Sequence, residues 1–429
     1  MTIVLPLIAL VVCLLLGVPI AIALAACGML GIFIVTGDFS KVIGIAGLAP
    51  YSTVGDYALT TIPMFILMAY FSASSGLARD LYQAAANSLS NVRGGLAIAT
   101  VFACGIFGAM SGASVAAASV MSKIAMPEMR RHGYSDELAA GSIGVGSTLD
   151  ILIPPSIAMV IYGIATQTSI GKLLIAGIVP GIIVGALLAL MIWLWVVISP
   201  RHAPATFVVP AAERRAALLK VWPSLLLIAI VVVMLYTGLA TPTEIGALGA
   251  LLAAVIGFMF GRLTLTGAID AIRQTIRTSA MIFLILIGAT IFGYYMTLSR
   301  IPHEVVSYVT ELGLNRWVVL TGIIVVYFIV SMFMDEIPLL LLTLQLTFPL
   351  VTSLGFDPIW FGVVSMMMVA MGLVFPPVGM IAFVVSATGG VALTKVYKGT
   401  SVLMMAIVVT TVLIMVFPEI VLWLPRTMK

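Results

Sequence analysis

Asp150 stands shortly before two consecutive prolines, Pro154 and Pro155, inside the otherwise apolar stretch 146–163. Proline removes a backbone donor and clashes with the preceding turn, so two prolines in sequence interrupt a helix. The interruption leaves one half-helix ending in unpaired carbonyl oxygens, which attract cations. Because carbonyl, hydroxyl and carboxylate oxygens are the ligands of hard cations, the stretch predicts a binding site for an ion such as Na⁺.

The proline pair has a counterpart in the second half of the chain. Residues 127–156 align without a gap on residues 349–378. Apolar residues match by chance in such a chain, but prolines and glycines constrain the backbone. The matched positions are Pro127 with Pro349, Gly133 with Gly355, and Pro154–Pro155 with Pro376–Pro377. The two halves are therefore predicted to be copies of one structural unit.

Equivalent loops of the two halves differ in charge. Arg130, Arg131 and His132 follow Pro127, whereas the equivalent loop 349–358 contains no basic residue. Basic residues favour the cytoplasmic side of a membrane, so the two loops are predicted to lie on opposite sides, as in an inverted repeat. We assign the other basic segments to the cytoplasm, with Arg79, Arg93, Arg201, Arg214, Arg215, Lys220, Arg262, Arg273, Arg277, Lys395 and Lys398.

The composition is that of a membrane protein. Of 429 residues, 62% are hydrophobic and only 8% are charged, against about 25% charged residues in soluble proteins. Long apolar runs recur throughout the chain and suit helices in contact with membrane lipid. The sequence contains no phosphate-binding loop and no metalloprotease motif, so we expect neither an enzyme, a cofactor nor a nucleic-acid partner.

These observations predict an all-α polytopic membrane protein made of two inverted-topology repeats, each with a re-entrant hairpin and a broken transmembrane helix. A hairpin is expected wherever an apolar segment begins and ends beside loops on the same side. The predicted first repeat is 1–200, with a surface (arm) helix 38–60, a hairpin 95–126 and a broken helix 138–162. A cytoplasmic linker 201–220 follows, and then the second repeat, 221–429, with an arm helix 262–277, a hairpin 317–349 and a broken helix 359–386.

Each broken helix is expected to face the tip of its own hairpin. In the first half the tip offers the hydroxyls of Ser111 and Ser114 to the carbonyl end near Asp150; in the second, Asp335 and Glu336 offer carboxylates. Three alternatives stay open at this point. In the first alternative, Asp150 binds no ion and pairs with a buried hydroxyl or amide. In the second, Ser111 and Ser114 are small packing residues. In the third, Asp335 and Glu336 are solvated charges in a periplasmic vestibule.

Four segments together resemble the large membrane subunit of tripartite ATP-independent periplasmic (TRAP) transporters, over essentially the whole chain. They are AMSGASVAAASVMSKIAMPEMRRHGYSDELAA, LDILIPPSI, AGIVPG and GLVFPPVGMIAFVVSA. The resemblance implies Na⁺-coupled uptake of a small organic acid in the bacterial inner membrane by an elevator mechanism, in which a transport domain moves against a scaffold. It also implies two partners, a small four-helix membrane subunit and a periplasmic substrate-binding protein. A stand-alone ion-coupled transporter or channel is the alternative.

The resemblance also implies site residues. Na⁺ sites carried over from the family's motifs are Ser111, Gly112, Ser114, Gly146, Ser147 and Pro154 in the first half, and Gly372, Phe375 and Pro376 in the second. Asp150 and Asp335 join them as candidate ion ligands. Substrate contacts are assigned to Ser156, Glu336, Pro377 and Gly379. The family commonly has glycine where Asp150 stands, so this carboxylate is expected to bind Na⁺ itself or to exchange it for a proton.

Overall fold

The computed structural model describes residues 4–204, 206 and 209–428, and its described elements are helical. Residues 1–3 of the predicted first repeat, 205, 207 and 208 of the linker, and 429 lie outside the described residues. The helices of the first half are α1 Leu5–Leu15, α2 Ile20–Thr36, α3 Phe39–Val54, α4 Thr61–Ser74, α5 Leu77–Ser88, α6 Gly95–Ser111, α7 Ser114–Arg131, α8 Asp136–Ser147, α9 Ile157–Thr166, α10 Ile170–Ala176 and α11 Ile178–Ile198.

The second half begins with longer helices than the first. Its helices are α12 Ala211–Thr237, α13 Pro242–Met259, α14 Leu265–Ser299, α15 Ile301–Glu311, α16 Arg316–Ser331, α17 Glu336–Ser353, α18 Pro358–Gly372, α19 Met380–Gly389, α20 Leu393–Leu403, α21 Met405–Val416 and α22 Glu419–Arg426. Seven helical segments of the described chain are long and apolar enough to cross a membrane. The fold is therefore an all-α polytopic membrane protein.

The two predicted arm helices differ from each other. In the first half, α3 ends before Gly55, and Asp56 caps a 3-10 turn by accepting a hydrogen bond from the Ala58 amide at 2.9 Å. In the second half, the predicted arm 262–277 is not a separate element, because α14 runs on through it into the following span. Between Gly267 and Gly288 the sequence contains neither glycine nor proline to end the helix. Likewise, α12 begins within the predicted linker 201–220.

Matching residues begin the broken helices of both halves. Gly133 and Gly355 both adopt a left-handed conformation, with φ of 76° and 79°, which glycine adopts without a steric penalty. Ser135 then caps α8 by accepting from the Leu138 amide, and Asp357 caps α18 by accepting from the Ile359 and Trp360 amides. The same loop-to-helix transition thus occurs at equivalent positions.

The two broken helices run antiparallel to each other. At one end, Arg130 and Lys395 both bind Asp136, the first residue of α8, and Arg130 also donates to the carbonyl of Gly390 beyond α19. At the other end, the Tyr162 hydroxyl of α9 donates to the Pro358 carbonyl at the start of α18, at 2.7 Å. Loops 127–137 and 349–358 therefore lie at opposite ends of this unit.

We use two names for the helices around this unit. The hairpin group consists of α6–α9 and α16–α19, and the frame consists of α2–α5 and α12–α15. Within the frame, α2 packs along α14. Small residues permit this approach, since a Cβ at Gly28 would lie 2.8 Å from the Phe292 backbone and one at Gly288 would lie 2.4 Å from the Ala21 carbonyl oxygen.

The orientation in the membrane stays a prediction with a direct test. We expect single cysteines placed in loops 127–137 and 349–358 to react with a membrane-impermeant maleimide from opposite sides, because basic residues mark only the first loop. Intact cells and inverted vesicles provide the two exposures, and a parent in which Cys13, Cys27 and Cys104 are replaced provides the background. Labelling of both loops from one side would contradict the inverted arrangement.

Candidate functional site

The first hairpin tip packs directly on the first helix break. Gly112 ends α6 with φ of 59°, and a Cβ at this position would lie 3.0 Å from the Pro155 carbonyl oxygen. One turn earlier, a Cβ on Gly108 would lie 2.4 Å from the Asp150 Cβ. Only glycine fits at these two approaches. The tip is therefore held against the segment between α8 and α9, as the sequence analysis predicts.

Side chains from both hairpin tips and the first break meet at Ser114. Its Oγ lies 2.6 Å from Asp150 Oδ1 and 3.1 Å from Glu336 Oε2. Ser114 and Glu336 are 222 residues apart and occupy equivalent positions of the two halves, the first residues of α7 and α17. All three side chains are buried, with 1%, 1% and 5% exposure for Ser114, Asp150 and Glu336.

This cluster contains two carboxyl groups but a single hydroxyl proton. Ser114 can donate that proton to one carboxylate only. The second oxygen of Asp150, Oδ2, is buried without a hydrogen-bond partner among the described residues. Within the same part of the chain, neither carboxyl group pairs with a Lys, Arg or His side chain. Buried charges require a compensating charge, so the cluster needs a cation or an additional proton.

The other first-half candidates have different roles in the structure. The Ser147 hydroxyl donates to the Ile143 carbonyl in the preceding turn, at 2.6 Å, and so points along its own helix. Ser156 caps α9 by accepting from the Met159 amide. Gly146 lets α8 approach α6, because a Cβ there would lie 3.1 Å from the Val101 Cα. Among the predicted serines, Ser114 alone makes hydrogen bonds to the carboxyl groups in the described chain.

The second break packs on the second tip through glycines. A Cβ on Gly372 would lie 1.8 Å from the Ser331 Oγ. The Gly379 amide donates to the Met332 carbonyl at 3.0 Å, and the Phe375 ring contacts the Phe328 ring at a centroid distance of 5.4 Å. Each break thus contacts the tip of its own half. Asp335 caps α17 by accepting from the Glu336 amide at 2.9 Å, which orients the Glu336 backbone.

Two residues that the sequence analysis did not identify bind the carbonyls of the second break. The Thr400 hydroxyl donates to the Val374 carbonyl at 2.8 Å, and the Tyr397 hydroxyl lies 2.9 Å from the Pro377 and 2.7 Å from the Val378 carbonyl oxygen. These hydroxyls satisfy backbone carbonyls that the helix break leaves without an intrahelical partner. Both come from α20, outside the repeated motifs, so no local pattern could reveal them.

The proline pairs adopt the same conformation in both halves. The Pro154–Pro155 and Pro376–Pro377 peptide bonds are both cis. Gly379, a predicted substrate contact, follows the second proline pair with φ of 53°. A Cβ on Gly379 would lie 2.7 Å from the Phe375 carbonyl oxygen, so the position requires glycine. The breaks thus share a cis proline pair but differ in the surrounding backbone, because α18 continues to Gly372 whereas α8 ends at Ser147 and a 3-10 turn follows it. They also differ in side chains, with Asp150 in the first where Gly372 stands in the second.

A cavity connects the first tip to the frame. It has a volume of about 440 Å³ and includes Ser111 and Ala113 of the tip. The frame contributes Tyr70 and Thr278, whose hydroxyls lie 3.0 Å apart, and Gln274. The volume falls within the range of small-molecule sites. Its lining combines apolar side chains with a few uncharged polar ones, so it can hold a small molecule with both characters next to the first hairpin tip.

The chain is similar in sequence to a family of membrane transport proteins. The family model described as "Tripartite ATP-independent periplasmic transporter, DctM component" matches residues 7–420. The C4-dicarboxylate TRAP transporter large permease protein DctM of Pseudomonas aeruginosa is 36% identical over 88% of both chains. The sialic acid TRAP transporter large permease protein SiaM of Vibrio cholerae is 29% identical over 87% of both.

A solved structure shares the fold. The crystal structure of the YdaH transporter of Alcanivorax borkumensis superposes on this chain with a TM-score of 0.62, covering 89% of each chain. Sequence identity is only 15%, so this likeness concerns the arrangement of the helices. It agrees with the all-helical membrane architecture described above.

Proposed function

Because the chain belongs to the DctM-component family of tripartite ATP-independent periplasmic transporters, we propose that it imports a small organic acid by coupling uptake to Na⁺ entry. The chain is a large permease subunit, a multi-pass protein of the bacterial inner membrane, and a transport protein rather than an enzyme. Being one component of a tripartite system, it acts together with other subunits. The coupling ion, the mechanism and the identity of the partners belong to the proposal.

The Ser114–Asp150–Glu336 cluster is the observation that carries Na⁺ coupling. It collects a hydroxyl and two carboxyl groups in a buried position, and Asp150 Oδ2 has no partner among the described residues. Oxygen ligands from side chains and broken helices suit a hard cation. A bound Na⁺ supplies the positive charge that the cluster lacks. In a variant of this proposal, a proton replaces the Na⁺ on Asp150 during the transport cycle, so that Asp150 changes its charge.

An organic acid is the proposed cargo. The two relatives named above transport a C4-dicarboxylate and sialic acid, which share a carboxylate. The cavity of about 440 Å³ beside Ser111 has the size for such a molecule and adjoins the proposed ion site. A bound cation next to this cavity favours an anion there, so ion and substrate bind together. We propose a small four-helix membrane subunit and a periplasmic substrate-binding protein as the partners.

We further propose an elevator motion, in which the hairpin group slides against the frame. The hairpin group carries both tips and both breaks, so the ion site moves as one unit. Two cavities separate this group from the frame. One adjoins α7 near Ser119 and α14 near Gln274, and the other adjoins α17 near Gln345 and α14 near Thr297. Space on both sides of the tips is what such a displacement requires.

Reconstitution tests this function. We expect the purified chain with its membrane partner, in proteoliposomes supplied with the binding protein, to accumulate the acid only under an inward Na⁺ gradient. Collapse of that gradient should reduce the initial rate at least tenfold, whereas internal ATP should have no effect because the sequence lacks a phosphate-binding loop. Accumulation without Na⁺, or without a binding protein, would contradict the proposal and favour a stand-alone transporter or channel.

A further inference from the structure

Arg300 occupies a backbone conformation that arginine rarely adopts. It precedes α15 with φ of 57°. In the first half, Gly76 holds the same place at the start of α5, directly after α4, with φ of 71°. Glycine adopts this left-handed conformation freely, whereas other residues incur strain. Glycine forms this turn before α5 in the first half, so the backbone of the turn before α15 does not require arginine.

The only other non-glycine residue with positive φ in the described chain lies beside the same cavity. It is Gln167, which ends α9 with φ of 55°. Both residues line a cavity of about 730 Å³ between α14, α15, α17 and α9. Arg300 approaches from the frame and Gln167 from the hairpin group. Strained residues with polar side chains concentrate at functional sites, and here two of them converge on one space.

The polar groups of this cavity define its ligand. Arg300 forms no ion pair within the described residues, and it lines the cavity together with His303. One carboxylate, Asp56, lines the same cavity and accepts a hydrogen bond from the Ala58 amide. A guanidinium without a partner suits a carboxylate, to which it can donate two parallel hydrogen bonds. Across the cavity, Gln345 donates to the Ala289 carbonyl at 2.8 Å, but its buried Oε1 has no partner among the described residues. This oxygen accepts a hydrogen bond from a hydroxyl or N–H group.

We propose that this cavity is a docking site for a small organic acid that carries a hydroxyl or N–H group in addition to its carboxylate, with Arg300 as its anchor. The inference rests on the proposed import function for its place in the cycle. The cavity lies at the end of the molecule near Pro349, which the charge pattern assigns to the periplasm, and it does not include the carboxyl cluster at Ser114. An acid released by a binding protein would therefore dock here before it reaches the tips.

The docking site also joins the two groups of helices. Gln345 belongs to α17 of the hairpin group and Ala289 to α14 of the frame, so their hydrogen bond crosses the interface. A ligand that contacts both Arg300 and Gln345 spans the same interface. Its binding therefore favours the arrangement in which these walls are close, and a movement of the hairpin group would release it.

Binding to the full-length chain in nanodiscs tests the proposal, with malate, succinate and sialic acid as probes in titration calorimetry. We expect at least one acid to bind and Arg300→Gly to weaken that binding at least tenfold without lowering the Tm, since glycine relieves the backbone strain. Malate should bind more tightly than succinate, because malate has a hydroxyl that can donate a hydrogen bond to the Gln345 acceptor and succinate has none. Arg316→Gln is the matched control, since Arg316 is another arginine of the same predicted side and instead packs on Trp317 and Phe356.

Two results would overturn the docking site. One is the absence of binding by all three acids, and the other is equal affinity in wild type and Arg300→Gly. Uptake measurements separate this outcome from failure of the import function. Arg300→Gly should raise the KM for the acid at least tenfold while kcat and the Na⁺ dependence stay unchanged. If uptake by the wild type does not depend on Na⁺ but binding of the acid still depends on Arg300, the Na⁺-coupling proposal is wrong and the docking site is supported.

Discussion

Replacement of Asp150 by asparagine is expected to weaken the apparent affinity for Na⁺ in uptake by about ten- to a hundredfold. Asparagine keeps the size of the side chain but removes the charge that would bind the cation. A hydrogen bond or contact to a charged group contributes roughly 1.5–3 kcal/mol, and each 1.4 kcal/mol corresponds to about a factor of ten. The Na⁺ dependence of the initial uptake rate in proteoliposomes measures the effect. If Asp150 exchanges Na⁺ for a proton instead, the pH dependence of uptake should flatten.

A glycine variant provides the control for packing. Gly372 is the equivalent residue of the second half, so glycine occurs at this place in one of the two breaks. Asp150→Gly should therefore fold, whereas Asp150→Leu should not assemble, because the Asp150 backbone and Cβ already lie against Gly108. If Asp150→Asn leaves both the Na⁺ affinity and the pH dependence unchanged, Asp150 is a structural hydrogen-bonding residue and no ion ligand.

The second large effect is expected for Ser114→Ala, with Ser147→Ala as its matched control. Ser114 contacts both carboxyl groups, whereas the Ser147 hydroxyl binds a carbonyl of its own helix. Loss of the Ser114 hydroxyl removes the group that links Asp150 to Glu336, and we expect Na⁺-driven uptake to fall at least tenfold. Ser147→Ala should reduce it by less than a factor of two. The family resemblance assigns both serines to the ion site, whereas in the structure only Ser114 contacts the carboxyl groups. The two variants therefore test which of the two assignments is correct.

A double-mutant cycle identifies how Ser114 acts. If it links the two carboxyl groups, Ser114→Ala and Glu336→Gln should be strongly non-additive in the apparent Na⁺ affinity, because residues in one hydrogen-bond network couple. Additive effects would mean that Glu336 acts independently, for example through the substrate contact that the sequence analysis assigns to it. Equal losses in Ser114→Ala and Ser147→Ala would place the ion near the end of α8 instead.

Much of the architecture could be predicted because its signals are local. Apolar runs long enough to cross a membrane identify the spans, and proline pairs identify the breaks. Glycine followed by a capping residue, as at Gly133 and Ser135 or at Gly355 and Asp357, marks the start of each broken helix. Each of these signals acts within a few residues of backbone, so a single sequence suffices to interpret it.

Local signals did not predict that α14 is one continuous helix. The charge pattern predicts a surface helix followed by a span, because charged residues are replaced by apolar ones after residue 277. Polarity indicates the environment of a helix but does not end it; a cap, glycine or proline does. The first half contains such a stop at Gly55 and Asp56, whereas the second half has neither glycine nor proline between Gly267 and Gly288, where the polarity changes.

The sequence by itself determined the membrane class, the two broken helices, the hairpin tips and the presence of carboxylates near them. Only the tertiary structure decided which of these residues meet. Ser114 and Glu336 are separated by 222 residues, and their contact depends on how two hairpins approach each other. The Thr400 and Tyr397 hydroxyls that bind the second break come from yet another helix. Local sequence sets backbone breaks and caps, whereas the partners of a buried polar group depend on the packing of distant helices, which periodicity and motifs do not encode.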